Sequence, residues 1–127
     1  MSQAKRALGA EGEARAANYL RRRGYRIAAR NLRLAGVELD LVLLRGGTAV
    51  FVEVKTRRTA ACGTPFEAIT PRQQARILHA AAAWLRANPG RARRVRFDAV
   101  ACLVDASGRW RIQHVEAAFE ASTAGIE

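Results

Sequence analysis

The stretch that decides the fold runs from Gly36 to Arg58, GVELDLVLLRGGTAVFVEVKTRR. Two apolar, β-branched runs flank Gly46-Gly47, a dipeptide suited to a two-residue hairpin turn with positive φ at both positions. With that turn Arg45 faces Thr48, Asp40 faces Glu53 and Glu38 faces Lys55. Cross-strand partners share a face, with Cβ atoms roughly 5 Å apart. The spacing therefore predicts Glu38, Asp40, Glu53 and Lys55 on one face, together with Val42 and Phe51. Like charges placed directly opposite destabilise a sheet. Asp40 set against Glu53 calls for a compensating cation, and a hard divalent metal with oxygen ligands suits that role.

Outward from the hairpin, the rest of the chain reads α-β-β-β-α-β-β. Residues 3–23 are alanine-rich and helical, closed by Gly24. Their expected inner stripe is Ala10, Glu13, Ala14, Ala17 and Leu20, with Gly9 and Gly12 allowing close approach to the sheet. A first strand follows over 25–33, with a turn at Asn31 before the hairpin strands over 36–45 and 48–57. A loop over 58–67 leads to Thr70-Pro71-Arg72-Gln73, a capping-box helix start with proline at the first position. This helix runs to about Asn88, with Ala75, Leu78, Ala81, Ala82 and Leu85 as its expected apolar stripe. Strands over 95–104 and 109–115 come next, and a short helix is expected after Glu116. The early strands suggest an antiparallel meander, and the helix between the third and fourth strands allows a crossover. The expectation is an α/β fold: one domain over residues 1–120, a central mixed sheet flanked by helices, and a frayed tail over 121–127.

At 127 residues and 50% apolar composition the chain can bury a core. No apolar run approaches the length of a membrane span, and the N-terminal residues lack the apolar stretch of a signal peptide. Cys62 and Cys102 are far apart and read as small buried hydrophobes, so a cytoplasmic, reducing location is expected. The net charge of +11 points to a polyanion, first of all nucleic acid. Of 22 basic residues only Lys5 and Lys55 are lysine, leaving 20 arginines. A rotatable ammonium two residues after Glu53 suits proton chemistry, for which arginine is a poor substitute.

Phosphodiester cleavage needs a metal to polarise the phosphate and acidify water, carboxylates to hold it, and a cation near the developing charge. Asp40 and Glu53 supply carboxylates, the Val54 carbonyl a further ligand, and Lys55 the cation. Glu13 can reach in from the first helix to hold a metal-bound water. Arg57, Arg58, Arg72 and Arg76 flank this group and are expected to contact phosphates. The competing reading is a salt-bridge ladder on a solvated sheet face, with Glu38 opposite Lys55. Asp98 reads as a structural hydrogen-bonding group. His79 and His114 have no evident partner in the sequence, and Trp84 and Trp110 read as core.

The runs GAEGEARAANYLRRRGYRIAARNLR, ELDLV, FVEVKTRR, FEAIT and VRFDAV, spanning roughly residues 9 to 104, resemble the YraN family of endonuclease-like bacterial proteins. The resemblance implies the restriction-endonuclease-like, PD-(D/E)XK fold, akin to archaeal Holliday-junction resolvases. It implies a metal site at Asp40, Glu53 and Lys55 with Glu13 as the helical acid. It also implies Mg²⁺ and a DNA substrate; Mn²⁺ is the alternative ion expected for the same carboxylates. Val37 stands where the family usually has glycine before its first acid, and Arg72 where it often has lysine. Three functions follow as expectations: a metal-dependent endonuclease acting on branched or otherwise structured DNA, a nuclease-fold module that binds nucleic acid without cutting it, and a basic adaptor for an acidic protein. A homodimer would suit symmetric cutting of two strands.

Overall fold

A computed structural model describes residues 2–59 and 69–121. The elements are α1 (Gln3–Arg22), β1 (Arg26–Leu34), β2 (Val37–Arg45), β3 (Thr48–Arg58), α2 (Pro71–Ala87), β4 (Arg94–Val104) and β5 (Trp110–Phe119). The five strands form one sheet in the order β1-β2-β3-β4-β5. β3 and β4 are parallel, and every other neighbouring pair is antiparallel. The sheet is therefore mixed, and α2 is the crossover that parallel neighbours require.

The local signals that set this order are visible in the geometry. Gly46 and Gly47 both have positive φ, at 57° and 81°, and Arg45 pairs with Thr48. Thr70 accepts from the Gln73 amide at 3.1 Å while the Gln73 side chain accepts from the Thr70 amide at 2.9 Å, so the capping box is formed. Gly24, at φ 90°, ends α1 with the Tyr25 amide bonded to the Leu20 carbonyl at 3.2 Å and its own amide to the Arg21 carbonyl at 3.1 Å. This double bond of the helix end is the Schellman arrangement.

Each helix covers one face. Ala16, Ala17 and Leu20 of α1 pack with Leu41, Leu43, Val50, Val52, Val100 and Cys102. Ile77, Ala80, Ala81 and Trp84 of α2 pack with Val42, Phe51, Phe97 and Ala99 on the other face. Phe51 stands edge-on to Trp84 at 5.8 Å and is stacked on Phe97 at 5.7 Å, arrangements favoured by the aromatic quadrupole. Both helices are rotated from the expected stripes, and Ala10 and Ala75 are exposed. In α1 the inner line is Gly12, Ala16, Ala17 and Leu20, because Gly12 is where the helix backbone meets the sheet. A Cβ on Gly12 would overlap the Thr56 side chain, whereas one on Gly9 would meet nothing within 4 Å. Only Gly12 has the packing role expected of both.

The C-terminal region differs from expectation. In place of a short helix after Glu116, β5 continues to Phe119, which stacks on Phe97 at 4.9 Å. Ala117, at φ 50°, forms a bulge whose amide donates to Asp98 Oδ1 at 3.0 Å. That bulge lets the strand resume pairing. Asp98 is fully buried and has the structural role expected of it. It also accepts from Arg96 at 2.7 and 2.8 Å and lies 2.7 Å from His114 Nε2. Three partners hold its carboxyl below the usual range despite burial. His114 thus has a partner the sequence did not reveal. Trp84 is buried, but Trp110 is half-exposed beneath the Arg15 guanidinium, 4.6 Å from its ring centre. Cys102 is buried with its thiol directed at the Gly12 carbonyl, and burial pushes that thiol up to about 11. Cys62, most of the expected 58–67 loop and residues 122–127 of the expected tail lie outside the described residues.

Candidate metal centre

The site lies where β2 and β3 part. Their ladder runs from Arg45↔Thr48 to Leu41↔Val52 and stops there. β3 nevertheless continues beside β4 as far as Arg58↔Val104, and β2 beside β1 as far as Leu34↔Val37. The expected pairs Asp40↔Glu53 and Glu38↔Lys55 are therefore not ladder pairs. In their place Asp40 Oδ2 accepts from the Val54 amide at 2.8 Å. A side chain supplies the acceptor that a β2 carbonyl would otherwise provide, and the strands open around it.

The single shared face is also corrected. Leu39 packs on the α2 side and Leu41 on the α1 side, so alternation along β2 breaks at Asp40. Across the β1–β2 ladder, between Arg30↔Leu41 and Leu32↔Leu39, sits Asn31 at φ 49°. This left-handed residue lies inside β1; the turn expected there falls instead at Ala35-Gly36, also at positive φ (51° and 77°). Asparagine tolerates that conformation, and its side chain lies near enough to Glu13 to favour the ionised carboxylate. On β3, Phe51 lies in the α2 layer, and Val52 and Val54 lie in the α1 layer. By alternation Glu53 and Lys55 continue the Phe51 side.

Asp40 is the meeting point of two groups. Carboxylate oxygens of Glu13, Glu38 and Asp40 lie within 4.8 Å of one another. Asp40 also lies close enough to Glu53 for the two carboxyls to act on one another. Burial, then Glu53, with Glu13 and Glu38 adding to them, push the Asp40 carboxyl up to about 8 against the pull of the Val54 amide. Burial likewise raises Glu53, opposed chiefly by Lys55. Burial and Glu38 raise Glu13, opposed by Asn31 and Arg30. Four carboxylates thus converge, with Lys55 and Arg30 as the cations acting on them.

The donor set is all oxygen. Its span is close to the ~4.2 Å between opposite ligands of a Mg²⁺ ion with bonds of about 2.1 Å, and Ca²⁺-type bonds are longer still. The residues fit a hard divalent cation. Glu13 and Asp40, both expected ligands, are in the tight group. Glu53 lies beside Asp40, and Glu38, expected only opposite Lys55, completes the tight group. Asn31 and Arg30 were missed. The only signal for Asn31 was a strand-poor residue within a strand-like run.

Arg57 and Arg58 are exposed at the end of β3. α2 begins beyond that end and returns towards the start of β4, which puts exposed Arg72 and Arg76 at the same end of the sheet. Among the described residues no helix is long and apolar enough to cross a membrane.

The model of uncharacterised protein family UPF0102 matches residues 12–102. A UPF0102 protein of Geobacter sulfurreducens is 48% identical over 113 residues, covering 89% of this chain and 88% of the relative. One from Nocardia farcinica is 45% identical over 115 residues, covering 91% of each. Another, from Pelobacter propionicus, is 44% identical over 117 residues, covering 91% of this chain and 84% of the relative. The matched span contains Glu13, Glu38, Asp40, Glu53 and Lys55, and the chain belongs to the UPF0102, or YraN, family.

Proposed function

We propose that the protein is a Mg²⁺-dependent phosphodiesterase of endonuclease type acting on DNA, including branched or otherwise structured DNA. The observation that carries this reading is the Asp40 carboxylate. It is anchored to a β3 amide, placed among three further acids, and pushed up to about 8. Such a cluster is unfavourable alone and becomes favourable around a divalent cation.

Asp40, Glu13, Glu38 and Glu53 would hold the ion, and the Val54 carbonyl is within the same strand segment. Bound there, Mg²⁺ or Mn²⁺ would polarise a phosphate oxygen and acidify a water. Lys55, beside Glu53, places an ammonium where charge develops on the phosphate. Asn31 orients Glu13. Arg57, Arg58, Arg72 and Arg76 line the same end of the sheet and grip flanking phosphates.

The test is cleavage of labelled duplex, single-stranded, flap and four-way-junction DNA with Mg²⁺, with Mn²⁺ and with chelator. Metal-dependent cutting that falls about 100-fold or more in both Glu53→Ala and Lys55→Ala supports the proposal. Binding without cutting, the same in all three proteins, refutes it and leaves a nucleic-acid-binding module.

A further inference from the structure

The opposite end of the sheet carries a second charged surface that the carboxylate centre does not use. It is built from the end of α1, the Gly46-Gly47 hairpin and the segment entering β4. Arg23, Arg26, Arg45, Arg91, Arg93 and Arg94 are all exposed there. These pieces are tied together. The Arg93 and Arg94 amides donate to the Gly47 carbonyl at 2.7 and 3.2 Å, and Arg45 Nη1 donates to the Arg23 carbonyl at 3.2 Å. A Cβ on Gly47 would lie 3.0 Å from the Arg93 guanidinium, so that side chain lies across the turn.

No carboxylate among the described residues pairs with any of these six. The acids nearest to them are on β5 and just after it: Glu116 pairs with Arg96, and Glu120 lines a hollow with Val95 and Arg96 without an ion pair to any of the six, while Glu11 pairs with Arg15 and Asp98 is buried. Two of the guanidiniums are held by rings, Arg23 over Tyr19 at 3.6 Å and Arg45 over Tyr25 at 4.0 Å. Stacking fixes the plane of a guanidinium and leaves its N–H edge to meet a phosphate, which lowers the entropy lost on binding.

We propose that this end is a second nucleic-acid backbone surface, separate from the carboxylate centre. Along β3 the hairpin lies about 20 Å from Glu53 and Lys55, at ~3.3 Å per residue. One short contact cannot serve both ends, so the surface holds a different stretch or arm of nucleic acid. The planar guanidinium fork matches phosphate oxygens two at a time. The lack of apolar anchors favours a nucleic-acid backbone over a lipid surface: among the described residues the only exposed large hydrophobic is Val115, on β5. The inference rests on charge and packing and does not depend on metal chemistry.

The test uses Arg91→Ser/Arg93→Ser/Arg94→Ser, whose side chains stand outside the core, and the corresponding triple lysine variant. Binding of a 16-bp duplex, a probe length of about one and a half helical turns, is measured in chelator across a salt series. Each lost phosphate contact removes about 0.9 from the slope of log K against log salt. The serine variant is expected to bind more weakly with a slope shallower by about 2 to 3, and the lysine variant to keep most of the slope. An Arg57→Ser/Arg58→Ser variant should leave the loss caused by the serine triple unchanged, because the surfaces are separate. Unchanged affinity and slope in the folded serine triple would overturn the proposal. So would loss of binding to phosphatidylserine vesicles with duplex binding intact. If the serine triple does not fold, Arg91→Ser/Arg94→Ser gives the same reading with a slope change of about 2.

Discussion

Asp40→Asn is the sharpest probe of the carboxylate centre. Asparagine has the same shape and still accepts from the Val54 amide, yet it cannot ionise. In the wild type without metal, folded Asp40 keeps its proton up to about 8, whereas the unfolded residue ionises near 3.8. Between these values the folded state binds the extra proton, so stability falls as pH rises. The slope is at most about 1.4 kcal/mol per pH unit, or about 4 kcal/mol from pH 5 to pH 8. Counter-ions and rotation of the acids towards water reduce this to about 2 kcal/mol, equivalent to about 8 °C in Tm for a chain of this size. The assay is thermal unfolding of both proteins in chelator over that range. The Asn variant should be the more stable, by a margin that widens with pH. Asp98 titrates in both proteins and cancels in the comparison. Equal or narrowing margins would refute the claim that burial and the neighbouring acids disfavour the Asp40 carboxylate in the folded chain.

Mg²⁺ added at pH 8 should raise the wild-type Tm, with about 2.7 kcal/mol gained at a hundred times Kd; the Asn variant should gain much less in the same calorimetric titration. Gly12→Ala should destabilise by about 1–3 kcal/mol in urea unfolding, since its methyl group meets Thr56. Asp98→Asn should flatten the acid limb of stability. The lowered wild-type carboxyl gives stability that is present above the unfolded value and lost as pH falls through the folded one. Asn31→Val should cost about 1–2 kcal/mol by chemical denaturation because a β-branched residue resists φ 49°, and Asn31→Gly should cost less.

Much of the architecture was legible because local signals agreed. The double glycine set the hairpin register, the Thr70–Gln73 box began α2, and β3-α2-β4 implied a parallel pair. The rotations of the two helices were not legible: alanine is compatible with either side of a stripe, and Gly12 was selected by Thr56, a residue far away in the chain. The extension of β5 depends on the Ala117 amide meeting Asp98, a contact between strands. At the centre, the hairpin rule named Asp40, Glu53 and Lys55 but extended the ladder at least three residue pairs too far. Nothing in a period of two announces that a carboxylate will take a backbone amide, or that Asn31 will turn left-handed opposite it.

That 2.8 Å bond between Asp40 and the Val54 amide has a spectroscopic consequence. An amide proton shared with a carboxylate resonates at a different field from one shared with a carboxylic acid, and exchanges with solvent at a different rate. The Val54 ¹H–¹⁵N signal therefore reads the charge of the centre directly. One resonance, followed through a pH series and then a magnesium series, reports proton release and cation capture at the same atom.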